Sequence, residues 1–222
     1  LEPSLTAVGL PCLVCYYLFP AHLPLTGMGQ DMGRIEAYCD KALARAARLG
    51  AKTVVLGSPA ARQVPAGFDR RQAWRQLEQV LALLCARAEL YGISVAVEPI
   101  CVQQSNIINT VDEAAQLCAG AGADNAGPMG EFYHLRQQGD SLSRLAAHGG
   151  EIRHVHIANS ADHSYPAQAG EDSYGAFLEV LCRAGYDGTV SIEGELAGPF
   201  VPAAKQALVL LRGLEQQIKK SI

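Results

Sequence analysis

Ile93-Ser94-Val95-Ala96-Val97-Glu98-Pro99 is the stretch on which the reading of the whole chain turns. Side chains of an extended strand alternate, so Ile93, Val95 and Val97 share one face and Ser94, Ala96 and Glu98 the other. A β-branched face suits packing against helices. A small-residue face that ends in a carboxylate suits the interior and rim of a parallel barrel. Pro99 has no N–H to donate and ends the ladder just beyond Glu98.

The pattern recurs. In Thr189-Val190-Ser191-Ile192-Glu193, Val190 and Ile192 alternate against Thr189, Ser191 and Glu193. In Ile152-Arg153-His154-Val155-His156-Ile157 the two histidines face away from Val155 and Ile157, and Pro128-Met129-Gly130-Glu131-Phe132 reads as a weaker strand. Each of these strands delivers an ionisable side chain at or near its C-terminal end.

The chain as a whole reads as six successive βα units. A strand is expected over 5–18, broken at Pro11, followed by a loop over 19–30 and a helix over 32–49 capped by Asp31 and stopped by Gly50. Residues 52–56 form the next strand, 57–68 a loop, and Asp69 caps a long helix that stops at Gly92. After the Glu98 strand, Thr110 and Glu113 form a capping box, and Ser141 opens a helix to about His148. The last helices are expected over 172–184 and 202–218. Loops after helices are short and centred on glycine, whereas most of those after strands run to roughly a dozen residues, the length at which loops tend to carry function. Repeated βα alternation with long loops at strand C-termini gives a TIM-type β/α barrel, class α/β, as a single domain over residues 1–222. Six of the fold's eight units are visible, so the chain is read as an N-terminally truncated barrel.

Composition narrows the function. The net charge of -4 leaves no basic surface for nucleic acid or anionic lipid. No apolar run is long enough to cross a membrane, and 5–19, the nearest, is interrupted by Pro11 with no basic segment before it. The cysteines (Cys12, Cys15, Cys39, Cys85, Cys101, Cys118 and Cys182) are scattered and odd in number, which fits buried thiols in a reducing cytoplasm. Cys12 and Cys15 form a C-x-x-C, but no second pair completes a zinc site.

If the sheet closes, Glu98, Glu131, His156 and Glu193 converge at one rim. Three carboxylates raise each other's pKa unless a cation sits among them, and one divalent metal resolves that conflict. Three oxygens and one imidazole favour Mn²⁺, Mg²⁺ or Co²⁺, with Zn²⁺ also accepted. Such a metal holds a carbonyl and its neighbouring hydroxyl and stabilises an enediolate, while a flanking carboxylate moves the proton.

From Leu10 to Leu196 these motifs resemble the xylose-isomerase-like TIM barrels, which include the ketose 3-epimerases. The likeness rests on Leu49-Gly50-Ala51-Lys52, Val97-Glu98-Pro99, Glu131-Phe132-Tyr133-His134, His154-Val155-His156-Ile157 and Ser191-Ile192-Glu193. The resemblance implies that Glu98, Glu131, His156 and Glu193 are the metal ligands, that Glu98 and Glu193 double as the acid/base pair, and that His134 contacts substrate hydroxyls. It implies a metal-dependent epimerase or isomerase of a small-molecule sugar, most simply a ketose. Dehydration of a keto-inositol, or a non-catalytic sugar-binding barrel, are the alternatives. Two features depart from the family pattern: Glu131 stands where Asp is usual, and an Arg expected after the histidine strand is replaced by a region holding His163, Ser164 and Tyr165. Open barrel edges point to self-association into a homo-oligomer.

Ordinary readings stand beside these. His154, deeper in its strand, reads as a hydrogen-bonded core histidine, and Glu195 steadies a ligand or faces water. Arg62 is expected to be solvated. Gly57-Ser58 carries only a weak phosphate-loop signal, and His22, His148 and His163 have no spacing argument.

Overall fold

A computed structural model describes Leu5, residues 7–196 and residues 198–221. Six parallel strands form one sheet in chain order, β1 to β6. They are β1 (Val14–Cys15), β2 (Thr53–Leu56), β3 (Ser94–Val97), β4 (Ala126–Glu131), β5 (His154–Ile157) and β6 (Val190–Ile192). This is the curved parallel sheet of a TIM-type barrel, with six of the fold's eight βα units among the described residues.

The helices form where the sequence supplies caps. Asp31 accepts from the Arg34 N–H at 3.0 Å to open α1 (Met32–Arg48), and Asp69 accepts from the Gln72 N–H at 2.7 Å to open α3 (Arg70–Glu89). Thr110 caps α4 (Val111–Ala121), and Gly122, at φ +65°, ends it in the left-handed conformation that glycine adopts most cheaply. The reciprocal half of the expected capping box is displaced by one residue, since Glu113 accepts from the Asn109 N–H at 2.5 Å. Later in the chain come α6 (Leu142–Ala147), α7 (Tyr174–Arg183) and α8 (Phe200–Ser221).

The alternation read from sequence sorts the interior into two kinds. Ile93, Val95 and Val97 pack outward against Leu77, Leu81 and Leu84 of α3 in a large apolar cluster. Inside the barrel, Val14, Val55, Ala96 and Met129 form a small separate cluster beneath the mouth. A third cluster joins Val155 and Ile157 to Phe132, Phe177 and Leu181 of the later helices.

Three local expectations need correction. The apolar run over 5–18 is not one strand: Leu5, Ala7 and Val8 are helical, and only Val14–Cys15 pairs with β2. Gly9 at φ +66° and Pro11, which has no N–H, break the run. The loop over 57–68 contains a one-turn helix, α2 (Pro59–Arg62), and α5 (Phe132–Gln138) starts directly after β4.

Candidate metal centre

Strand ends bring four side chains to one mouth. Glu98 follows β3, Glu131 ends β4, His156 lies in β5 and Glu193 follows β6. The parallel register sets Glu131 beside His156, and His156 beside Ser191. One donor atom from each of Glu98, Glu131, His156 and Glu193 lies within 4.8 Å of all the others. His156 Nδ1 is 2.8 Å from Glu193 Oε2, 3.4 Å from Glu131 Oε2 and 3.7 Å from Glu98 Oε1.

Proximity is not matched by hydrogen bonding. His156 Nδ1, both Glu98 carboxylate oxygens and Glu131 Oε2 are buried with no aligned partner. Leaving such groups unpaired costs about 1–3 kcal/mol each, and more when charged. A convergent set of unpaired oxygens with one imidazole nitrogen is what a divalent cation satisfies, so the donor set fits a metal ion.

The electrostatics follow from burial and crowding. Burial raises the Glu98 pKa, against the pull of His156. Burial likewise pushes Glu131 up to about 7, with Glu98 and Glu193 adding to the rise. On His156 burial opposes the charge, but Glu131, Glu193 and Glu98 outweigh it and hold the ring up to about 11. Glu193 is lowered: burial resists its charge, but His156 and a hydrogen bond from Tyr16 win. Without a metal, the imidazolium is therefore the cation among the carboxylates.

Each ligand has its own support. The Glu98 N–H donates to the Leu56 carbonyl at 3.2 Å, and its carboxylate lies over Gly57, where any Cβ would come within 1.9 Å of Oε2. Only glycine permits that approach. Ser58, beside it, accepts from the Phe19 N–H through Oγ at 2.9 Å and takes a structural part. Glu131 divides its carboxylate: Oε1 accepts from the Tyr133 N–H at 2.8 Å and caps α5, leaving Oε2 for the mouth.

Arg62 is the largest departure from expectation. It is not solvated but fully buried, donating to the carbonyls of Glu98 (2.8 Å), Ile108 (3.0 Å) and Leu56 (3.4 Å) and to Ser105 Oγ (3.3 Å). Burial lowers its pKa to about 10, with Glu98 pulling the other way. It ties the ends of β2 and β3 to the following loop.

His134, on α5, is buried with Nδ1 unpartnered, and burial lowers its pKa to about 4, so the ring is neutral. Tyr133 stands between it and His163, at ring separations of 5.3 and 4.2 Å. His154 lies below the mouth as a core histidine, its Nδ1 2.9 Å from Thr189 Oγ1. Glu195 is exposed and stands apart from the cluster, its N–H bonded to the His163 carbonyl at 2.7 Å. His22 is exposed, and His148 sits among Asp112 and Glu151 away from the mouth.

Tyr16 escaped the sequence reading. Its ring meets His156 edge-on at 5.2 Å and 76°. Counting by two from Val14, which faces the barrel interior, would have found it. Among the described residues no helix is long and apolar enough to cross a membrane.

A family model described as xylose isomerase-like TIM barrel matches residues 6–215. The chain is 28% identical to the ketose 3-epimerase of Arthrobacter globiformis over 129 residues, 58% of this chain and 44% of the relative. It is 32% identical to the 3-dehydro-D-guloside 4-epimerase of Escherichia coli (strain K12) over 147 residues, 65% of this chain and 53% of the relative. The match therefore spans about half the length of these curated relatives. The structure of an L-ribulose 3-epimerase superposes with a TM-score of 0.86 at 17% identity, covering 99% of this chain and 80% of the other, a likeness of fold.

Proposed function

Because the chain belongs to the xylose isomerase-like TIM barrel family, we propose that it is an epimerase or isomerase of a free ketose that uses one divalent metal ion. Glu98, Glu131, His156 and Glu193 would hold the ion, and their buried, unpaired donor atoms are the observation that carries the reading. An oxygen-rich set favours Mn²⁺, Mg²⁺ or Co²⁺, with Zn²⁺ accepted. When bound, the metal supplies Lewis-acid polarisation of a carbonyl and neutralises charge that develops on its oxygen.

The chain's own residues do the rest. Glu193, with a quarter of its side chain exposed, is the carboxylate that faces the mouth and takes the proton from the carbon beside the carbonyl. Glu98, fully buried and with a raised pKa, is suited to return a proton from the other side. His134, neutral and with a free Nδ1, meets a sugar hydroxyl. The extra methylene of Glu131 lets one carboxylate cap α5 and still reach the mouth. A decayed binding barrel would have no reason to keep these carboxylates dry and unpaired, at a standing cost to stability.

Incubation of the Mn²⁺-loaded protein with a panel of ketoses in deuterated water tests this. Deuterium should enter at the carbon beside the carbonyl, and Glu193→Gln should slow its entry by about 10²–10⁴-fold while the fold persists. Exchange that is equally fast in the variant would remove Glu193 from the role.

A further inference from the structure

Tyr16 directly follows β1, the first strand of the sheet, yet its ring rests edge-on against His156 of β5, with centroids 5.2 Å apart. The phenol also acts on Glu193, just beyond β6, the last strand, helping to hold its carboxyl low. The same ring passes over the glycine that backs Glu98, its Cε2 3.6 Å from where a Cβ on Gly57 would stand. One side chain just past the first strand thus touches His156 and acts on Glu193 beyond the last.

We propose that Tyr16 is a positioning residue: its ring fixes the plane of His156 and its hydroxyl fixes the rotamer of Glu193, so that both point into the mouth. A phenol at ordinary pH is a hydrogen-bond donor, and donation to one carboxylate oxygen of Glu193 would leave the other for a cation. Groups that orient a metal ligand in this way set its affinity and geometry without touching the ion. The inference rests on the metal-binding reading of the site.

The test is a Co²⁺ titration of the whole protein, followed by its visible absorption band and by competition with a chelator. The wild type is read first. Absence of Co²⁺ binding there overturns the functional reading, and this inference with it, before any variant is made. Given binding, Tyr16→Phe keeps the ring and removes only the hydroxyl. It should weaken Co²⁺ by at least about tenfold and shift the absorption band. In a Glu193→Gln background the same change should do neither, because the hydroxyl acts through Glu193. A Tyr16→Phe protein with wild-type affinity and an unshifted band would overturn the assignment of Tyr16 alone. So would an equal effect in both backgrounds, which marks a merely structural tyrosine.

Discussion

Val97 and Glu98 are consecutive residues, both fully buried, and they lie in opposite kinds of interior. Val97 faces α3 in one apolar cluster with Leu77, Leu81 and Leu84. Glu98 faces the mouth among two other carboxylates and an imidazole, with neither oxygen in an aligned hydrogen bond. Burial that contributes about 1.5–3 kcal/mol for a side chain such as Leu81 is a cost for Glu98. The outer layer holds the fold, and the mouth spends some of that stability on keeping charge dry and convergent. Arg62 sits at the seam, a buried cation bonded to the carbonyl of Glu98 and to the loop beyond.

The contrast breaks if changes in one region act like changes in the other. Leu81→Ala, in the outer layer, should cost about 2–5 kcal/mol in urea unfolding, and the folded variant should bind as much metal as the wild type. Loss of metal binding from that substitution would mean that the two regions are not separable.

A smaller effect is expected at the mouth when pH is varied in the metal-free protein. Glu131 rises from 4.5 in the unfolded chain to about 7 in the fold. A group raised by folding stabilises fully below its unfolded value and loses that contribution as pH climbs through the folded one. Glu98 shifts in the same direction, and His156, raised from 6.5 to about 11, extends the loss to higher pH. Glu193 is lowered, and its contribution changes only below 4.5. Buried His134 and His154, lowered to about 4 and about 3, act in the opposite direction below 6.5, so thermal unfolding in chelator should show stability falling as pH rises from about 7 towards 11, where His156 governs. Added metal, which needs His156 deprotonated, should restore more stability the higher the pH. A metal effect that weakens as pH rises would contradict the assigned protonation.

The two regions also differed in how far they could be read from sequence. The outer layer was legible because alternation at Ile93, Val95 and Val97, and caps at Asp31, Asp69 and Thr110, are local signals. The cluster was legible because each strand ends in an ionisable residue and the parallel register brings those ends together. Arg62 was not, because a charged residue in a loop reads as solvated until Ile108, 46 residues further on, is known to close over it. Tyr16 was missed for the opposite reason: beside Cys15 and Tyr17 it looks like one more apolar strand residue. Helix α5 was hidden because its cap, Glu131, is also the last residue of a strand.

Elemental analysis of the protein purified without chelators tests the central claim most directly. The account predicts about one equivalent of Mn, Co, Mg or Zn per chain, lost in a folded Glu98→Ala variant. A wild-type protein that carries no metal, and gains no thermal stability from any of the four, would contradict it.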